Sequence, residues 1–115
     1  METLTLGGNI VLSGFSQLDF TEVIVVKKMV GQFSKKLSET VSGFSRLSIT
    51  LKEVHKTAEG HPHHDIVTKA VVDNKEYATE KNGFNLFVVL DESMKAVEEQ
   101  IQKVHEKQNH HSFRH

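Results

Sequence analysis

The last long periodic run of the chain, residues 84–108 (FNLFVVLDESMKAVEEQIQKVHEKQ), decides the fold. Its apolar residues recur at spacings of 3, 4, 3, 4 and 3, namely Phe87, Leu90, Met94, Val97, Ile101 and Val104. This is the pattern of an α-helix with one buried and one solvated face. Such a helix needs a flat apolar surface to lie on, so the rest of the chain is expected to supply a sheet.

A second helix is predicted to begin after Asp19 and to run to about Val41. Asp19 and Glu22 have the spacing of a capping box, in which side chain and backbone groups of the first turn bond each other. The apolar residues that follow at helical spacing are Phe20, Val23, Val26, Val30, Phe33, Leu37 and Val41. Gly43 stands where the left-handed residue past a helix end belongs.

Four segments have the composition or the alternation of strands: 9–14, 46–56, 65–72 and 76–80. The order is therefore β-α-β-β-β-α, an α+β two-layer sandwich with both helices on one face of a four-stranded, antiparallel-rich sheet. Residues 1–108 form a single domain in this prediction. Within it, residues 1–8 are a loose lead-in whose pairing as an extra strand is left open, and residues 57–64 are rich in turn formers. Residues 109–115 are expected to form a flexible tail.

Composition limits the classes of function. The 115 residues carry a formal net charge of −1, so a nucleic-acid-binding role must rest on a local basic patch. Cysteine is absent, which excludes disulfides and thiolate chemistry. No apolar run reaches the length of about 18 residues that suggests a membrane span. The first residues lack the pattern of a signal peptide. A cytoplasmic protein is expected.

No sequence motif indicates catalysis. The chain contains no G-x-S-x-G elbow, no phosphate-binding P-loop and no G-x-G-x-x-G fingerprint. We therefore expect a protein that is not an enzyme and that needs no cofactor and no small-molecule substrate.

Histidines cluster between residues 61 and 65 (HPHHD). His61, His63 and His64 are weak candidates for ligands of a divalent metal such as Zn²⁺. A surface loop is the favoured interpretation, because Pro62 and the preceding glycine indicate a turn and no paired ligand motif stands elsewhere. A metal- or pH-responsive binder built on this loop remains an alternative.

The strongest basic cluster is predicted on the first helix. Lys28 and Lys35 share one helical face with Gln32 and Glu39, at spacings of 4, 3 and 4. Lys27 and Lys36 lie beside them. Three cations on predicted strands could extend the cluster: Arg46, Lys52 and Lys69. Lysine and arginine side chains facing phosphates would give salt-sensitive affinity that does not depend on sequence.

The stretch from the second predicted strand to the last helix resembles the ribosome hibernation-promoting factors, also called ribosome-associated inhibitors or ribosomal subunit interface proteins. The resemblance covers residues 9–107 and is most specific in 66–107. The matching positions are Ala78-Thr79-Glu80 at the end of a short strand, then Phe87, Leu90-Asp91, Val97-Glu98, Gln100-Ile101 and Lys103 in the last helix.

The resemblance implies a fold like that of double-stranded-RNA-binding domains. It also implies a protein of the short form that occupies the mRNA and tRNA channel of the small ribosomal subunit and blocks translation under stress. In that case the lysines of both helices, including Lys95 and Lys103 of the second, would join the first cluster in contacting ribosomal RNA.

A rival interpretation is an α+β protein–protein interaction or assembly module with no RNA binding. The near-neutral net charge favours it. So does the last helix, because residues 84–108 hold three lysines against five acidic residues.

Overall fold

A computed structural model describes residues 3–52, 54–56 and 58–112, with side chains for all of these except 55 and 105–112. Over these ranges the chain is an α+β protein. The strands are β1 (Thr3–Leu6), β2 (Ile10–Ser13), β3 (Phe44–Leu51), β4 (His55–Lys56), β5 (Pro62–Val72) and β6 (Lys75–Gly83). The helices are α1 (Phe20–Thr40) and α2 (Leu86–Ser112), and a short 3₁₀ helix, Phe15–Gln17, precedes α1.

The strands lie in the order β1-β2-β3-β5, with β6 on the other side of β5. The pair β2–β3 is parallel and the other pairs are antiparallel, so the sheet is mixed. The two-residue β4 pairs with the start of β5, just beyond the end of β3. In the described ranges the sheet therefore has five strands and this short extension, and the predicted four-stranded sheet is corrected.

The additional strand is β1, in the segment for which a loose lead-in was predicted. Leu4 pairs opposite Leu12 and Leu6 opposite Ile10. The alternation of threonine and leucine in this segment is typical of a strand. The glycine pair that follows, with φ of 60° and 81°, lets the chain reverse into β2. This segment lacks the continuous apolar run from which the equally short β2 was predicted.

Two further boundaries differ from the sequence prediction. Strand β5 begins at Pro62, so the end of the predicted turn region belongs to a strand instead. Helix α2 continues through Ser112, past the point where the flexible tail was predicted to begin. The expectation for residues 113–115 falls outside the described part of the chain.

Both helices cover the same face of the sheet and form one core with it. Alternate residues of β3 face the helices and are fully buried, namely Leu47, Ile49 and Leu51. The predicted stripe of α2 is confirmed, because Leu90, Met94, Val97 and Ile101 are buried and Phe87 and Val104 pack against the core. The capping box of Asp19 and Glu22 is present at the start of α1. Phe20 departs from its predicted stripe and is 80% exposed.

The helices run side by side in the same direction. Strands β2 and β6, which lead into α1 and α2, both run parallel to β3, so the two helices begin at the same end of the sheet. Lys36 on α1 lies level with Glu98 on α2, and their Nζ and Oε2 atoms are 2.9 Å apart. This ion pair shows which residues of the two helices lie at the same height.

Candidate nucleic-acid interface

The lysines of the predicted cluster that have no acidic partner among the described residues lie on the outward face of α1. Lys27, Lys28 and Lys35 are exposed, and no described carboxylate lies within salt-bridge distance of any of them. Lys28 and Lys35 stand two turns apart on the side of the helix opposite the core. Since they occupy successive turns of a rigid helix, their separation is about 10 Å along the axis.

The cations between the two helices are neutralised. Lys36 bonds Glu98 across the helices, and Lys95 bonds Asp91 on its own helix with an Nζ–Oδ2 distance of 2.9 Å. The hydrogen bond to Asp91 raises the pKa of Lys95 above its ordinary value. These four groups border a groove of about 250 Å³ with Met29, Gln32, Phe33 and Met94. The floor of the groove is therefore apolar, and the two lysines and two carboxylates at its rim cancel in charge.

Three of the predicted RNA-contacting cations lie on the opposite face of the molecule. Because Leu47, Ile49 and Leu51 face the helices, Arg46 and Lys52 on either side of them face away. Lys69 stands between two buried residues of β5 and also faces away. The expectation that Arg46, Lys52 and Lys69 extend the α1 cluster is therefore wrong, since the sheet separates them from it.

Two of these sheet cations are also paired. Lys52 Nζ lies 2.8 Å from Glu80 Oε2, and this hydrogen bond raises the pKa of Lys52. Lys69 Nζ lies 3.9 Å from Glu76 Oε1. Arg46 lines a shallow pocket of about 230 Å³ with Ser48, Lys69, Val71 and Glu76. On the open face of the sheet, two carboxylates thus offset two of these three cations.

Lys103 is exposed on α2 but does not join the α1 cluster. It lies about 140° around the helix from Glu98, which faces α1. Of the nine predicted RNA contacts, only Lys27, Lys28 and Lys35 form a single unpaired group on one surface.

The histidine run does not assemble a metal site. His63 and His64 are neighbours in β5, so their side chains leave opposite faces of the sheet. His64 is 5% exposed, whereas His63 packs edge-to-face on Phe84 with ring centroids 5.2 Å apart. His61 is exposed and lies directly before the first residue of β5. Among the described residues, no group of three or more histidine or carboxylate side chains could hold a metal ion.

The exposed apolar residues near the helix starts were not singled out from the sequence. Phe20 and Ile24 on α1 are 80% and 50% exposed, and Phe84 and Val88 at the start of α2 are 58% and 51% exposed. All four lie at the end of the molecule where both helices begin. The sequence does carry a signal for two of these exposed residues, because Phe84 and Val88 lie outside the apolar stripe predicted for residues 84–108.

In the described part of the chain, neither helix offers the length of apolar sequence that crossing a bilayer requires. Comparison of the chain with protein-family models and with the sequences of curated proteins finds no match.

Proposed function

We propose that this protein binds the small ribosomal subunit without catalysing a reaction and inhibits translation under stress, as a hibernation factor of the short form does. The observation that carries the proposal is the row of unpaired, exposed lysines on α1, formed by Lys27, Lys28 and Lys35. The resemblance of residues 66–107 to the hibernation factors supports the same function.

The contact is electrostatic in this proposal. Three ammonium groups on a rigid helix contact phosphate oxygens of folded ribosomal RNA, and binding displaces condensed counterions. Such recognition reads the shape and backbone of the RNA rather than its sequence. The affinity should therefore fall steeply as salt is raised.

Inhibition is by occlusion in this proposal. The two-layer domain occupies the mRNA and tRNA channel in the cytoplasm and prevents those ligands from entering. No cofactor, metal or small-molecule substrate takes part. The sheet face, whose cations Lys52 and Lys69 are paired with carboxylates, faces away from the RNA.

Co-sedimentation of the purified protein with 30S and 70S particles, at low and at high salt, tests the proposal. We expect binding at low salt that is lost at high salt. The variant K28Q/K35Q should bind at least tenfold more weakly. K52Q/K69Q removes the same charge from the opposite face and should bind like the wild type. Absence of binding at low salt, or equal losses in the two variants, would contradict the proposal.

A protein–protein assembly module is the second candidate. It is favoured by the exposed apolar residues Phe20, Ile24, Phe84 and Val88, which RNA phosphates would not cover. Complete absence of ribosome binding at low salt, with the fold intact by far-UV circular dichroism, would favour this candidate.

A further inference from the structure

The outward faces of the two helices have the same spacing, and charged residues at matched positions have opposite sign. The ridge of α1 consists of Phe20, Ile24, Lys28, Gly31, Lys35 and Glu39. The ridge of α2 consists of Val88, Glu92, Lys95, Glu99 and Lys103. Phe84 holds the position in sequence that corresponds to Phe20, but it lies in the bend before the helix, where its ring packs on His63. Each member of the second ridge stands 64 positions after its counterpart. From Ile24 and from Val88 onward, both ridges follow the spacing 4, 3, 4 and 4 that keeps residues on one helical face.

Neither ridge takes part in the core of its own chain. The side chains of both ridges are exposed to solvent, and Gly31 is half-buried. The contact between Lys36 and Glu98 places residues 62 positions apart at the same height. Counterparts on the two ridges therefore differ in height by about 3 Å, the rise of two helical residues.

The two ridges complement each other position by position. Ile24 corresponds to Val88, and exposed apolar side chains, Phe20 and Phe84, lie near the start of each helix. The lysines of the first ridge correspond to acidic residues of the second, Lys28 to Glu92 and Lys35 to Glu99. The acidic end of the first ridge corresponds to a lysine, Glu39 to Lys103. Counted over all charged residues of each segment, including the paired Lys36, Asp91, Lys95 and Glu98, residues 20–40 carry a net charge of +2 and residues 91–103 a net charge of −2.

We infer that two copies of this chain associate through their helical layers, with α1 of each copy packed on α2 of the other. This arrangement is generated by a two-fold axis that runs parallel to the helices and lies between the helical layers of the two copies. The interface is isologous, so every contact occurs twice. Residues at the same height meet, which brings the apolar ends together and sets lysines opposite glutamates.

The glycine at position 31 is a second argument for this dimer, independent of the charges. A glycine within a helix costs on the order of 1 kcal/mol relative to alanine. Within the chain nothing requires it, because a Cβ built at Gly31 meets no heavy atom within 4 Å. In the dimer Gly31 faces Lys95 of the partner copy. The missing side chain leaves room for the long lysine stem to lie across α1.

The size of the surface suits a dimer of modest affinity. The ridges extend over about 30 Å, and two helices about 10 Å wide present on the order of 600 Å² per copy. The total of about 1,200 Å² lies at the lower end of specific interfaces. Exposed ion pairs contribute little to affinity, so the apolar ends provide attraction while the charges select the register.

The dimer would cover Lys28 and Lys35, the residues that the proposed function places on RNA. Self-association and RNA binding therefore exclude each other on this surface. The inference itself rests on the complementarity of the ridges and does not require the proposed function.

Sedimentation velocity over a range from low-micromolar to about 1 mM protein, in low salt, tests the inference by charge exchange. The wild type should dimerise. K28E/K35E and E92K/E99K each place like charges opposite one another, and each should weaken the association at least tenfold. The quadruple variant K28E/K35E/E92K/E99K restores opposite charges and should dimerise again. K52E/E80K exchanges a pair on the open sheet face and should leave the association unchanged.

A wild type that remains monomeric over this range would overturn the inference. So would a dimer that neither double variant weakens, or a folded quadruple variant that stays monomeric. Ribosome binding separates this result from the proposed function. E92K/E99K should be monomeric and bind ribosomes at least as well as the wild type, whereas the quadruple variant should dimerise and fail to bind. Dimerisation of a wild type that never binds ribosomes would contradict only the proposed function.

Discussion

Ser93, in the middle of α2, donates a hydrogen bond from its Oγ to Oγ1 of Thr68 on β5 at 2.8 Å, and both residues are fully buried. Thr79 on β6 donates to the backbone carbonyl of Ser93, also at 2.8 Å. These are polar contacts inside a mainly apolar core. Because a slip of α2 would leave buried hydroxyls without partners, the contacts fix the position of α2 on the sheet.

Replacing Thr68 by valine should lower the free energy of unfolding by about 0.5–1.5 kcal/mol, because the Ser93 hydroxyl loses its acceptor at 2.8 Å and keeps Thr79 Oγ1 at 3.3 Å, while the volume stays nearly constant. The double variant T68V/S93A removes both groups and should lose less than the sum of the two single variants. Urea unfolding of the four proteins measures this coupling. Additive losses would show that the hydrogen bond contributes nothing of its own.

A side chain at Gly14 is expected to destabilise the fold more than a side chain at Gly8. Their φ angles are nearly equal, 84° and 81°. A Cβ at Gly14 would overlap the backbone carbonyl of Leu51, whereas one at Gly8 meets nothing within 4 Å. We expect Gly8→Ala to cost about 1–2 kcal/mol for its left-handed conformation. Gly14→Ala should cost clearly more, because a strand must also move. Equal thermal shifts for the two variants would contradict this.

The ion pair of Lys52 and Glu80 should stabilise the fold only below strongly alkaline pH. The hydrogen bond to Glu80 raises the pKa of Lys52 above the value of 10.5 expected in the unfolded chain. The contribution is therefore complete below that value and is lost as pH rises through the higher folded pKa. The residues are exposed, so the effect is small and is screened by salt.

The melting temperatures of the wild type and of K52Q measure this contribution. The variant should be slightly less stable at neutral pH, and the difference should vanish at strongly alkaline pH. K27Q removes a lysine that has no carboxylate within salt-bridge distance in the described structure and serves as the control. A difference between wild type and K52Q that grows with alkalinity would contradict the assignment.

The helices could be predicted from the sequence because each has a complete local signal. The stripe from Leu90 to Ile101 and the capping box of Asp19 need no knowledge of the rest of the chain. The arrangement of charge could be predicted only in part. Alternation alone implies that Arg46 faces away from the helices, since its neighbour Leu47 must face them. The neutralisation of Lys36 could not be predicted, because Glu98 lies 62 residues away and meets it only after both helices pack.

Gly31 offers a last test, because its replacement should act on the single chain and on the dimer in opposite directions. G31A should raise the free energy of unfolding of the monomer by about 1 kcal/mol, since alanine favours the helix and the added Cβ meets no atom of the chain. G31L keeps a good helix former but extends into the space that the dimer assigns to Lys95 of the partner copy. It should therefore weaken association at least tenfold in sedimentation velocity while the monomer remains folded. A gain in monomer stability with unchanged association in G31L would show that the ridge of α1 is free of any partner at this position.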